Sequence, residues 1–183
     1  MQICTAKHDH ELNQILELQK ENLKSNISAE NALKNGFLSI QHTFSVLEEM
    51  NKAAPQIIAL DDKKVIGFAL VMLRSFRDMV PAFQPMFDLL NRLVFKNRSI
   101  ESFNYYVMGQ ICVAAGYRGK GIFDLLYHKH KELYSSQFDF CLTEVAVRNT
   151  RSMQAHSRVG FQTIAKYQDA QEEWNIMVWD WKS

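Results

Sequence analysis

Cysteine is scarce in this 183-residue chain, and the three that occur, Cys4, Cys112 and Cys141, form no CxxC pair. That excludes the usual spacing of a structural zinc site and leaves an odd number for any disulfide framework. All three sit in apolar, strand-like stretches, so reduced and buried thiols are expected. No metal is expected either. Charge of one sign is also missing: 21 Lys and Arg stand against 20 Asp and Glu, a net charge of +1. Bulk electrostatics therefore makes no case for nucleic acid as a partner. No apolar run reaches the roughly 20 residues that span a bilayer. The opening MQICTAKHDHEL lacks the basic, apolar, small-residue order of a signal peptide. A cytoplasmic protein without membrane contact is the expectation.

What is present is a globular composition, 47% hydrophobic and 22% charged, with no repeats or low-complexity tracts. The length suits one domain, 1–183, with a sizeable core. Met1–Ala6 reads as a short strand. Asp9 can cap a helix with an apolar stripe of Leu12, Ile15, Leu16 and Leu18. A second helix is expected from Ser28, with Gly36 just past its end, and a third over Phe44–Met50. Gln56–Leu60 and Val65–Leu73 flank Asp61-Asp62-Lys63-Lys64, a hairpin with a polar turn. Between Ser75 and Ser102, Pro81 and Pro85 break regular structure. Phe87, Leu90 and Leu93-Val94 then give a helical period. A connection of this length either forms a lid or packs on the sheet as an embellishment.

The stretch Tyr105–Phe123 organises the rest. Its first half suits a buried strand, and a glycine-rich basic turn, Gly116-Tyr117-Arg118-Gly119-Lys120-Gly121, follows. Phe123, Leu126, Tyr127 and His130 then fall on one side of a helix over Ile122–Tyr134. Strand, glycine turn and helix present free N–H groups to a phosphate, because the first turn of a helix lacks internal partners. A Walker A loop is excluded by the two-residue gap between Gly116 and Gly119 and by Gly121 after Lys120. A dinucleotide fingerprint starting at Gly119 would need Gly or Ala where Asp124 stands. The remaining pattern, Arg118-Gly119-Lys120-Gly121-Ile122, resembles motif A of the GNAT superfamily of acyl-CoA-dependent N-acyltransferases. Phe123 stands where that family usually has Gly or Ala.

A second stretch resembles motif B of the same superfamily. After the strand Phe140–Val147 come Asn149, Ser152, Gly160 and Phe161, all in register, with His156 in the place of the usual Tyr. Gly160 should stop the helix Asn149–Arg158, and Gln162–Tyr167 with Trp174–Trp179 should make a last strand pair. The resemblance covers 105–134 and 140–161. It implies an α/β (α+β) fold: a GNAT-like mixed central sheet flanked by helices, ordered β-α-α-β-β-β-α-β-α-β-β, with a helical insertion before the fourth strand.

The resemblance further implies acetyl-CoA as co-substrate, bound in the gap between two splaying parallel strands. Gly109 could begin that splay as a bulge. The backbone of Ile111, Cys112 and Val113 would face the pantetheine. The loop Arg118, Gly119, Lys120, Gly121, Ile122 and Phe123 would hold the pyrophosphate. Asn149 and Ser152 would meet the pantetheine end, although Asn149 can equally be a plain N-cap. His156 would stand near the sulfur as proton donor. Ser157 and Tyr167 are out of register and receive no role.

Glu144, a lone carboxylate among apolar strand residues, is the base candidate. Such a group must be paired, wet or at a cleft, and a pairing with a neighbouring cation is the other reading. Gln110 is a similar polar exception. His128 and His130 are expected on a solvated face, and Trp174, Trp179 and Trp181 in a core or interface. The acceptor would be a primary amine, on a small molecule or a peptide, in a pocket built from the N-terminal helices, the insertion and the last hairpin. A homodimer is among the allowed assemblies. Two other uses of the fold stay open, suggested by Phe123 and His156: a CoA-binding module without transfer, and an interaction protein that has lost the site.

Overall fold

The computed structural model describes residues 1–28, 30–32, 36–170 and 172–182. Strand β1 (Gln2–Thr5) leads into helix α1 (Asp9–Asn22). The N-cap is His8 rather than Asp9: Glu11 Oε2 turns back to accept from His8 N at 2.9 Å and Lys7 N at 2.6 Å. Leu12, Ile15 and Leu18 are buried as their spacing predicts. Gln14 docks this helix on the sheet by accepting from Val65 N at 2.8 Å and donating to Lys63 O at 3.1 Å.

The helix expected from Ser28 lies partly outside the described residues, and of it 30–32 are helical. Helix α2 (Phe44–Ala53) runs a turn past its expected end, capped by Thr43 Oγ1 accepting from Val46 N. The hairpin β2 (Ile57–Asp61) and β3 (Lys64–Met72) turns at Asp62, which takes a positive φ of 52°. The insertion holds helix α3 (Gln84–Leu90) and a small hairpin, β4 (Val94–Phe95) with β5 (Arg98–Ser99). The helical period does not carry through Leu93-Val94. Lys96 and Asn97, both at positive φ, turn the chain back there.

Strand β6 (Tyr105–Val113), helix α4 (Ile122–Tyr134), strand β7 (Phe140–Ala146) and helix α5 (Thr150–Val159) follow. Strands β8 (Gln162–Gln168) and β9 (Glu173–Asp180) close the chain. The sheet runs β1-β2-β3-β6-β7-β9-β8, antiparallel everywhere except between β6 and β7. This is the mixed, mostly antiparallel sheet flanked by helices that the motifs imply.

Apolar residues fill both faces, as a sheet sandwiched between helices requires. One core joins α1, α2 and the insertion through Ile15, Leu47, Phe68, Leu70 and Phe87; the other joins α4 to the sheet through Tyr106, Leu126, Tyr127, Phe161 and Trp179. His130 belongs to the second core, not to a solvated face: it is fully buried and Nδ1 lies 2.7 Å from Tyr106 Oη. Its place on the apolar stripe of α4 outweighs its polarity, while His128 is exposed.

Gly160 ends α5 with φ 121°, and a Cβ there would lie 2.8 Å from Trp179 Nε1. Gly160→Ala should therefore destabilise the protein by at least about 2 kcal/mol, a fall in Tm of roughly 4–8 °C, read by thermal melting.

The sheet opens where β6 meets β7. The two strands pair only over Tyr105–Val107 and Phe140–Leu142. Thr143 Oγ1 donating to Met108 O at 3.1 Å is the last link described. Next to it, two residues of β6, Gly109 and Gln110, face the single Leu70 of β3 between the pairs Val71–Met108 and Ala69–Ile111. This is a bulge, and a bulge adds bend and twist to its strand. Space does not force the glycine, since a Cβ at 109 would meet Met72 Cβ at an ordinary 3.7 Å.

Candidate functional site

Beyond the splay, the C-terminal half of β6 carries strand partners on one side only. An extended ligand with amide groups can satisfy the other side, as an added strand would. A cavity of about 480 Å³ opens here. Ile111, Cys112 and Val113 form one wall, Arg118, Gly119, Gly121, Ile122 and Phe123 another, and Asn149 and Ser152 a third.

Lys120 is the one expected cofactor residue outside the lining. Its ammonium sits 4.9 Å from the Tyr117 ring centre, and Tyr117 Oη donates to Asp61 Oδ2 at 2.7 Å. Arg118 does line the cavity, but its guanidinium is committed internally: Nε donates to Val113 O at 3.0 Å and Nη2 to Asn22 Oδ1 at 2.6 Å. The loop is thus pinned to the end of α1, and the charge expected at the phosphate serves partly to hold the loop.

What fits a pyrophosphate best is backbone. Gly119 and Gly121 both take φ 77°, and a Cβ at either position would meet nothing within 4 Å. Gly121 is the N-cap of α4 and offers no side-chain cap. The first-turn N–H groups therefore face the cavity mouth without a capping side chain, a ready anion site. Asp124 in that turn is neutralised by Arg158, whose Nη2 donates to Oδ1 at 2.7 Å.

Asn149 is buried and caps α5, accepting from Ser152 N at 3.2 Å. Burial pushes the Cys112 thiol up to about 12, so it supplies no thiolate nucleophile.

A smaller cavity of about 90 Å³ adjoins the first, and Phe37, Leu38, Ile111, Asn149 and Ser152 line both. Glu144 and His156 both reach it. Burial raises the Glu144 carboxyl, and nearby Asp169 adds to this; a hydrogen bond from Tyr167 opposes them, and the net is about 7. Tyr167 Oη donates to Glu144 Oε2 at 2.5 Å. Sequence reasoning passed over Tyr167, because only the pairing of β8 through β9 to β7 brings it within reach. The cationic partner considered for Glu144 is replaced by this phenol.

His156 is buried in a ring cage of Phe123, Tyr127 and Phe161, at centroid distances of 5.2–5.4 Å. Its Nδ1 lies 2.8 Å from Ser152 O and 3.2 Å from Ser152 Oγ. A carbonyl oxygen carries no proton, so the proton is on Nδ1. Nε2 then holds a lone pair, with no partner among the described residues. Burial lowers its pKa to about 4. In this arrangement His156 is neutral and its one N–H is committed to Ser152, so it has no proton free for the donor role expected from its register.

His42 and His130 are likewise depressed by burial, to about 4 and about 3. Each buried-neutral histidine stabilises the fold fully above its unfolded pKa of about 6.5, and that stability is lost as pH falls toward the folded value. Glu144 works in the opposite direction but is a single group. Thermal melts should therefore show Tm falling from pH 7 to pH 4.

A second feature, after Tyr167, was not legible in the sequence. Glu172 accepts from Lys24 Nζ at 2.8 Å and from both Arg148 Nε and Nη2. Phe37 is held within this group, its ring centre 4.8 Å from the Arg148 guanidinium carbon and 5.6 Å from Lys24 Nζ. The three charged residues come from segments far apart in sequence, and no local pattern marks them.

Among the described residues no helix is long and apolar enough to cross a membrane, and no cluster of three His, Cys, Asp or Glu side chains could hold a metal ion. The chain belongs to the acetyltransferase (GNAT) family, whose sequence profile matches residues 16–161. A search of curated protein sequences gives no match.

Several solved structures share the fold. The NatC complex bound to Gag peptide and CoA aligns with a TM-score of 0.64 at 15% identity, over 98% of this chain and 99% of that one. An N-acetyltransferase from Staphylococcus aureus Mu50 aligns at 0.62 and 20% identity, over 99% and 98%. The ribosomal-protein-S18-alanine N-acetyltransferase from Escherichia coli aligns at 0.61 and 13% identity, over 100% and 94%. At these identities the likeness speaks for the fold alone.

Proposed function

We propose that this chain is an N-acetyltransferase that moves acetyl from acetyl-CoA to a primary amine by direct attack in a ternary complex, with 1–183 acting as one domain. The observation that carries the reading is the common wall of the two cavities. A backbone cradle for pyrophosphate opens, past Asn149 and Ser152, onto a carboxylate with a pKa of about 7.

Acetyl-CoA brings the acetyl group as an activated thioester. The residues of this chain bind, orient and move protons. The N–H groups at the start of α4 and the loop Gly119–Gly121 hold the phosphates, and the open edge of β6 at Ile111–Val113 pairs with the pantetheine amides.

Glu144 is the general base. At pH above about 7 its carboxylate attracts the ammonium form of the acceptor and takes up its proton as the amine attacks. Tyr167 holds that carboxyl in place. Ser152 Oγ takes a second share of the His156 Nδ1–H and keeps its own O–H to offer to the departing sulfur. The raised Cys112 thiol argues against an acyl-cysteine and for direct transfer.

The test is a thermal melt with and without acetyl-CoA, repeated with CoA, followed by CoA release against a panel of amines. An upward shift of Tm with release of CoA supports transfer. A shift with no release from any amine reduces the chain to a binding module, and no shift at millimolar ligand sinks the reading altogether.

A further inference from the structure

We infer that the acceptor is a small primary amine with a compact, uncharged, apolar body, and that a polypeptide N-terminus is not the substrate. This rests on the transferase reading and names its substrate class. The first ground is size. The cavity beside Glu144 is small, about 90 Å³ against about 480 Å³ for the one it adjoins, which suits an amine head with a short body.

The second ground is polarity. Glu144 is the sole charged residue among the described residues lining this cavity. It attracts an ammonium and repels an acceptor that also carries a carboxylate. The other polar side chains there are largely committed to the protein. Gln110 Nε2 donates to Ile40 O at 2.7 Å while its Oε1 accepts from Gln19 Nε2 at 2.6 Å. Thr143 Oγ1 is spent on Met108 O, and Trp174 Nε1 donates to Asp169 Oδ2 at 2.8 Å. The amides of a peptide would lose water here and find few free side-chain partners, which is costly. An apolar body would instead meet Phe37, Phe83 and Trp174.

The third ground is the clasp. Lys24 and Phe37 come from the N-terminal part, Glu172 from the last turn, and Arg148 joins them. Phe37, one wall of the cavity, is thereby held between Lys24 and Arg148, and Glu172, which fixes both cations, stands two residues before Trp174, another wall, so the small cavity is braced against widening.

The experiment measures kcat/KM by mass spectrometry of acetylated product, with acetyl-CoA saturating. The acceptors are phenethylamine, isoamylamine, L-phenylalanine and a heptapeptide with a free α-amine. The expected result is that the two plain amines exceed phenylalanine by about tenfold or more and the peptide by about a hundredfold. Glu172→Gln, which loosens the clasp, should narrow the gap between peptide and plain amine. A peptide acetylated as well as the plain amines overturns the inference and leaves the transferase reading standing. Phenylalanine matching phenethylamine overturns the charge argument and with it the substrate class. Acetyl-CoA binding without acetylation of any of the four overturns both.

Discussion

Gly121→Val is expected to raise the Kd for acetyl-CoA by about a hundredfold, close to 2.7 kcal/mol. Two effects combine. Residue 121 sits at φ 77°, where a β-branched side chain costs about 1–3 kcal/mol of strain. The new side chain also meets no protein atom within 4 Å of its Cβ, so it projects into the space over the uncapped helix start. The strain lowers Tm without ligand, and the lost site removes the ligand's effect.

For the unaltered protein, acetyl-CoA at a hundredfold its Kd should stabilise the fold by about 2.7 kcal/mol, an increase in Tm of roughly 5–11 °C. In the variant this increase should nearly vanish. Gly116→Ala is the control, because residue 116 has no positive φ and open space around it. An unchanged ligand shift in Gly121→Val would remove the pyrophosphate from this loop.

The second large effect is Glu144→Gln, for which a fall in kcat/KM of about a hundredfold or more is expected. The unaltered enzyme should show kcat/KM rising with pH through about 7, as the Glu144 carboxyl ionises, and the variant should lose that limb. The stability signs run the other way. A carboxyl whose folded pKa is raised from about 4.5 to about 7 stabilises the fold fully below pH 4.5, and that contribution is lost as pH rises through 7. Glu144→Gln should therefore melt higher than the parent at pH 8, and the gap should close near pH 4.5.

Tyr167→Phe separates position from chemistry. The Tyr167 hydrogen bond opposes the rise in the Glu144 pKa, so its loss should move the acid limb of the pH profile upward. A profile identical to the parent's would show that the phenol does not hold the reacting carboxyl.

Much of this site could be read in advance wherever its signal was local. The span Ile122–Tyr134 is found as a helix with those limits, because Gly121 caps one end and the apolar spacing runs unbroken to Tyr134. Asn149, Ser152 and Gly160 mark one helix because cap, first turn and stop lie within a dozen residues or so. The bulge at Gly109 was visible as a glycine among bulky strand residues. Spacing alone could not tell whether a charged or polar side chain would be committed elsewhere. Lys120 turns onto Tyr117, Arg118 reaches Asn22, and His156 gives its proton to a carbonyl one turn back. His130 is buried because its place on the apolar stripe outweighs its polarity, and the chain turns at Lys96-Asn97 because both residues take a positive φ, which the apolar period around them does not signal.

The sequence by itself determined most backbone parts of this protein: the order of the elements around the central sheet, the glycine-led start of α4 and the family. These depend on φ preferences, caps and hydrophobic periods, which act between near neighbours along the chain. Only the tertiary structure decided the chemistry around Glu144. The phenol of Tyr167 arrives two strands away, and the Lys24–Glu172–Arg148 clasp joins residues up to 148 positions apart. Short-range electrostatics and hydrogen bonds act through space, so their partners are chosen by the register of the sheet and the packing of its faces.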